Sequence, residues 1–299
     1  MKRLVASQFI RALSSADESS LATWVRRSLG GRRVALCFHR VADQRRQGEL
    51  IPKLTMAAGG IDRLLRFLTA AAGPLTVSFD DGYRDSAEYV LSRAPAFPGL
   101  EWLFFVCPEK TERGAGFRWD LAETRREAHE NSILFAPVDV PSENLRADLL
   151  RTAREPRFEM ASVELCREIQ RLPNAALGNH SNVHHRPALL TPEQFAADCQ
   201  ASTGDFERLF GPQRHFAFPF GVPGVDFGAG HLAILRRLGR FLIWSTEPRP
   251  FQGWERTAGA VLPRFAVDGT RSWRETAVHI AAHALLSRIR GRAPLEARQ

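Results

Sequence analysis

LTVSFDDG, Leu75 to Gly82, is an apolar run that reads as a strand and ends abruptly in two adjacent carboxylates and a glycine. Such a tip is costly. Neighbouring carboxylates repel, and either one left without a partner in a partly buried place is penalised for its lost hydration. The segment alone leaves two readings open. An aspartate caps a helix that opens at YRDSAEY (83–89), or a divalent cation neutralises the pair, with Gly82 permitting the sharp turn that exposes it.

Working outward, six further runs share this β-rich character: RRVALCFHRV (32–41), LEWLFFVCP (100–108), AALGNHS (175–181), RHFAFPFG (214–221), RFLIWSTEP (240–248) and AVLPRFAV (260–267). Between them lie segments with a helical apolar rhythm, IDRLLRFLTAAA, YRDSAEYVLSRA, WDLAETRREAHE, TPEQFAADCQASTGDFERLFG and HLAILRRLG. Repeated β–α units favour a parallel sheet or barrel with helices outside. Strands buried on both faces are continuously apolar, as these are. The stretch from 132 to 159 fits the rhythm least well and reads as an insertion or lid. No linker or repeat divides the chain, so the expectation is an α/β barrel domain over 31–275, preceded by an amphipathic basic extension (1–30) and followed by a basic helix and tail (276–299).

With 299 residues, 44% of them apolar and 25% charged, the chain is globular and not compositionally disordered. Lys plus Arg number 41 against 33 Asp plus Glu, an excess of +8 that attracts anionic partners without identifying them. No zinc-finger, helix-turn-helix or RNA-recognition pattern accompanies the charge, so a nucleic-acid function has no further support. Cys37, Cys107, Cys166 and Cys199 lack metal-type spacing and read as free, buried thiols. Gln8, Arg11 and Asp17 interrupt the apolar core that a signal peptide needs. No window approaches the roughly 18 apolar residues of a membrane span. Both ends read as amphipathic basic helices, which pack on the domain or lie on an acidic membrane surface. The expectation is a cytoplasmic protein, peripheral at the inner membrane face if those helices do bind lipid.

In a parallel β/α fold the chemistry sits at the C-terminal strand ends, which is where Asp80 and Asp81 stand. A second cluster, GNHSNVHH (Gly178 to His185), follows the short run AALG and places His180 and His184 four apart, close enough on a helical turn to share one metal. His185 could replace His184. Asp plus two His suits Zn²⁺ or another borderline divalent ion. A further pair, His279 and His283, lies inside an amphipathic helix with no strand-tip carboxylate beside it and reads as structural. Trp119, Trp244 and Phe220 lie near strand ends, where flat rings could stack on a sugar.

These residues carry a resemblance. TVSFDDGYRDS (76–86) resembles the first motif of the polysaccharide deacetylase, or NodB-homology, family, and GNHSNVHHRPALLT (178–191) resembles its second. FAFPFG (216–221) is similar to the third motif in a subgroup that lacks the usual arginine there, where this chain has Ala217. RVALCFHRVAD (33–43) and LPRFAV (262–267) resemble that subgroup's opening and closing strands. The resemblance implies a distorted (β/α) barrel that hydrolyses N-acetyl groups from a sugar or polysaccharide with one divalent metal, Zn²⁺ first, with Co²⁺ or Ni²⁺ as alternatives. It implies Asp81, His180 and His184 as ligands, Asp80 as general base, the backbone N–H of Phe220 as oxyanion donor and His39 as the acid for the leaving amine. Asp80 then needs another cation to orient it, and Arg264 in LPRF is the candidate. Removal of a formyl or other acyl group from a lipid- or nucleotide-linked sugar is the rival chemistry. A non-catalytic glycan-binding protein on the same fold is the rival class.

Overall fold

A computed structural model describes residues 13–43, 49, 51–73, 75–125 and 143–289. Residues 4–12 of the expected helix LVASQFIRAL, the first part of the 132–159 insertion and the tail beyond 289 lie outside the described residues.

The elements in chain order are α1 (Glu18–Leu29), β1 (Val34–Phe38), β2 (Arg40–Ala42), β3 (Thr55–Ala57), α2 (Ala58–Ala72), β4 (Leu75–Phe79), α3 (Arg84–Arg93), β5 (Glu101–Val106), α4 (Pro108–Arg113), α5 (Arg118–Arg125), α6 (Glu143–Thr152), α7 (Val163–Gln170), β6 (Ala175–Asn179), α8 (Pro192–Phe210), β7 (His215–Ala217), α9 (Ala229–Leu238), β8 (Leu242–Trp244), β9 (Val261–Leu262), β10 (Phe265–Ala266) and α10 (Trp273–Ile289). Eight strands form one parallel sheet in the order β10, β1, β4, β5, β6, β7, β8, β9. The sheet curls into a barrel with helices around it. Its two edges belong to consecutive pieces of chain: β9 pairs with β8, β10 pairs with β1, and only Pro263 and Arg264 separate them. AVLPRFAV is therefore two short strands on opposite edges, not one. A bridge between Arg33 and Phe251, with reciprocal N–H···O bonds of 2.8 and 3.0 Å, ties the same seam at its other end. RRVALCFHRV also divides, its second half pairing as β2 with β3 in a separate two-stranded ribbon.

Alternation along the strands sorts side chains into layers. Outward residues such as Leu36, Phe38, Val77, Phe79 and Phe104 meet the helices, with Leu65 and Leu68 of α2, Val90 of α3 and Ala281 of α10 in the same buried cluster. Leu21, Val25 and Leu29 of α1 join that cluster, which docks the residues just before the barrel onto it. Phe195, Leu232 and Leu235 of α8 and α9 cover Phe216 and Ile243 on the other flank. The inside holds Ala35, Leu103, Phe105, Ala217, Trp244 and Leu262. Among the described residues no helix is long and apolar enough to cross a membrane.

Gly178 shows how tight the interior is. It sits opposite Phe105 in the β5–β6 register, and an added Cβ would lie 2.3 Å from that ring. Gly178→Ala is expected to destabilise the fold by about 1–3 kcal/mol through overpacking, read as a lower urea midpoint at unchanged slope.

Candidate active site

Because the strands are parallel, their C-terminal ends share one rim. His39 follows β1, Asp80 and Asp81 follow β4, His180 follows β6, Phe220 lies in the loop after β7, and Arg264 sits between β9 and β10. The helix after FDDG begins at Arg84, with Tyr83 at its N-cap and no side-chain cap bond. Neither aspartate caps it, so the capping reading fails and both charges remain at the rim.

Asp80 is 2% exposed and Arg264 not at all. The guanidinium grips the carboxylate at two points, Nη1 to Oδ1 at 2.6 Å and Nη2 to Oδ2 at 2.9 Å. Nη1 also reaches Ser78 Oγ (2.9 Å), Nε donates to the Ser245 carbonyl (3.3 Å), and the guanidinium lies 5.0 Å from the Phe105 ring centroid. Burial by itself would raise the Asp80 carboxyl. Arg264 foremost, then His180, outweighs it and holds the group below the usual carboxylate range. Two partners escaped the sequence reading. Ser78 lies two residues before Asp80, hence on the same strand face, and Cys37 lies across from Ser78 in the β1–β4 register, its thiol 3.3 Å from Asp80 Oδ2.

Ligand atoms of Asp81, His180 and His184 all lie within 4.8 Å of one another. His184 Nε2 is 3.0 Å and His180 Nε2 3.5 Å from Asp81 Oδ1, yet that buried oxygen has no hydrogen bond. His180 Nδ1 contacts the Ala217 carbonyl at 2.8 Å, so a neutral ring donates there and leaves the Nε2 lone pair facing the carboxylate. Lone pairs converging on an orphaned oxygen are what a divalent cation resolves, so the donor set fits a metal. Burial works to raise Asp81, but the two imidazoles hold it well below its ordinary value. Burial lowers both histidines. The carboxylates overcome this for His180, whereas for His184 burial wins.

His180 and His184 do not share a helical turn. Residues 180–186 form a loop, and it reverses through left-handed backbone at Ser181 (φ 63) and His184 (φ 56). Among the described residues, four non-glycine residues have positive φ, these two plus Asp81 (φ 73) and Phe220 (φ 62). All four line this rim, the kind of strain that clusters at working sites.

His39 stands beside Asp80. Phe38 pairs with Phe79, so the next residues are neighbours, and a His39 ring nitrogen, Cys37 Sγ and an Asp80 oxygen lie within 4.8 Å of one another. Its Nδ1 is buried without a hydrogen bond. Phe220 brings its ring 5.5 Å from that of His184. Trp119 stacks on Phe117 at 4.3 Å, and both stand edge-on to His184, at 5.0 and 5.3 Å. Trp119 Nε1 donates to Tyr83 Oη (2.9 Å), whose hydroxyl donates to buried Asp120 (2.9 Å). Burial raises Asp120 to about 7, with Arg40 opposing. Trp244 is different. It is fully buried inside the barrel with Nε1 donating to His215 Nδ1 (3.2 Å), so it cannot stack on a sugar. His279 and His283 pack ring to ring at 4.4 Å on α10, away from the rim.

No protein-family model matches the sequence, and no curated protein matches it either. Solved structures do. The deacetylase PplD of Streptococcus pyogenes, solved in complex with acetate, superposes with a TM-score of 0.55 at 11% identity, over 82% of this chain and 96% of that one. A de-N-acetylase from Aggregatibacter actinomycetemcomitans gives 0.49 at 15% identity over 81% and 97%. A CE4 family pseudoenzyme from Bacillus anthracis gives 0.32 at 14% over 74% and 61%. The first likeness establishes a shared fold, the curled parallel (β/α) barrel.

Removing Arg264 leaves Asp80 as an uncompensated buried charge. Arg264→Leu is expected to cost about 3–5 kcal/mol in urea unfolding, and Asp80→Asn combined with Arg264→Leu to cost less than Arg264→Leu alone.

Proposed function

We propose that the chain is a metal-dependent hydrolase that removes N-acetyl groups from an N-acetylated amino sugar. The observation that carries this reading is a division of labour between two adjacent carboxylates: Asp81 faces two imidazoles, while Asp80 is claimed by a buried arginine. A metal-ligand site needs the first, and a general base that stays off the metal needs the second.

Asp81, His180 and His184 hold the ion, for which the donor set suits Zn²⁺, with Co²⁺ or Ni²⁺ as alternatives. When bound it supplies Lewis acidity toward water and toward the amide carbonyl. Asp80, kept ionised and aimed by the two-point grip of Arg264, takes a proton from the attacking water. The Ala217 carbonyl fixes the tautomer of His180. The backbone N–H of Phe220, on a left-handed residue after β7, stabilises the developing oxyanion. His39 protonates the leaving amine, and the Trp119 face offers the sugar a flat apolar surface. The fold is shared with PplD, a deacetylase solved in complex with acetate, and this reading gives that fold the same kind of chemistry here.

Acetate release from an N-acetylglucosamine oligomer is the direct test. It is expected to stop on chelation and return with Zn²⁺. Asp80→Asn is expected to lower kcat by about 10²–10⁴-fold with metal content unchanged. His184→Ala is expected to lower the metal bound per chain. Protein that takes up one ion per chain yet releases no acetate from any N-acetylated sugar would remove the hydrolase and leave a binding protein.

A further inference from the structure

His184 also lines a cavity of about 320 Å³ that opens beside the rim between α4, α5, α6 and the loop after His180. Among the described residues its charged lining is Lys110, Arg113, Arg118, Arg146 and Arg186 with the single carboxylate of Glu109, and Arg186 is paired at 3.0 Å with Asp226, buried behind the lining. Glu109 is already engaged by Arg113 at 3.3 Å. Lys110 is partly buried, donates to the Gly116 carbonyl at 3.1 Å and lies 4.7 Å from the Phe117 ring centroid. Among the described residues it forms no ion pair. Burial pushes its ammonium below the ordinary lysine range, against the opposing pull of Cys107, Asp120 and Glu109.

The mouth is apolar. Leu150, Val183 and Leu189 are 40%, 40% and 47% exposed, and the neighbouring loop adds Val222 and Val225 at 42% and 59%. The Ala188 N–H bond to the Asp226 carbonyl, 2.8 Å, joins the two segments. The remaining exposed large hydrophobics among the described residues, Leu285, Leu286 and Ile289, are all on α10. Apolar surface is thus gathered at the entrance of a basic cavity. A neutral glycan brings no anion to the basic side chains and no hydrocarbon chain to the exposed leucine and valine.

We propose that this cavity binds a phosphoryl group joined to an apolar chain, so that the substrate is an N-acylated amino sugar carried on a lipid phosphate. Arg118 and Arg146 supply planar forks that match phosphate oxygens, and Lys110 supplies a point charge beneath them. Leu150, Val183 and Leu189 receive the first part of the hydrocarbon. His184 borders both cavity and cluster, so the sugar amide lies at the rim while the phosphoryl group anchors alongside. The substrate assignment rests on the hydrolase reading; the binding site does not.

Calorimetric titration of the full chain with farnesyl phosphate, inorganic phosphate and farnesol tests the site without reference to hydrolysis. Farnesyl phosphate is expected to bind at least about tenfold tighter than either other probe. Arg118→Gln and Arg146→Gln, each with an unchanged circular dichroism spectrum, are expected to weaken it about tenfold. Leu189→Ser is expected to weaken farnesyl phosphate and spare inorganic phosphate. Equal binding of farnesol, equal binding of inorganic phosphate, or indifference to both arginine variants would overturn the site. A second arm compares acetate release from N-acetylglucosamine on farnesyl phosphate with release from a chitooligosaccharide. A lower KM for the former, raised by Arg118→Gln at constant kcat, supports the assignment. Equal kcat/KM for the two overturns the substrate class while leaving the hydrolase intact.

Discussion

A guanidinium with no exposed surface and a carboxylate with almost none hold each other where the two edges of the barrel meet. β9 and β10 belong to opposite edges of the sheet, and the chain crosses between them at Pro263 and Arg264. Proline has no N–H to give a ladder, so the crossing interrupts pairing where pairing has to stop anyway. Arg264 turns inward from that crossing and reaches the Ser245 carbonyl after β8, Ser78 on β4 and Asp80 at its tip. Closing the seam and aiming the carboxylate are therefore one interaction. Neither charge could be buried alone, since each depends on the other to offset lost hydration.

The rest of the rim is built at a cost in backbone strain. Asp81, Ser181, His184 and Phe220 each hold a conformation that ordinary side chains resist, at about 1–3 kcal/mol apiece. Buried polar contacts keep the histidine loop in place. Asn179 Oδ1 accepts from the Ser181 N–H (2.9 Å), while its Nδ2 donates to Gln213 (2.8 Å). Asn182 donates its backbone N–H to Asp198 (3.2 Å) and its side chain to Asp205 (2.8 Å), both on α8. The second imidazole thus reaches Asp81 through a loop clamped to the barrel's outer helices, and not through helical periodicity.

Aromatic and cationic groups share the space beside the rim. Phe117 and Trp119 stand edge-on to His184, braced by the Tyr83–Asp120 hydrogen bond. The same two rings line the basic cavity, which begins at His184 and ends in exposed leucine and valine. One histidine therefore borders both the cavity and the cluster.

Much of this was legible in the chain before any fold was seen, and the boundary between legible and hidden is physical. Apolar runs without alternation imply strands covered on both faces, and rhythmic segments between them imply helices outside, because periods of two and 3.6 residues are local properties of the backbone. Carboxylates and imidazoles directly after such runs point to one rim for the same reason. Local pattern cannot show which groups meet across the barrel. Arg264 lies 184 residues from Asp80, Cys37 reaches that carboxylate only through strand register, and Trp244 and Trp119 look alike in sequence although one is entombed and the other lines the rim. The sequence by itself determined the parallel architecture and the chemical types at the strand ends. The choice of partners, the loop that delivers His184 and the basic cavity beside it were decided by tertiary structure, since each depends on closing the chain over distances that no short-range periodicity encodes.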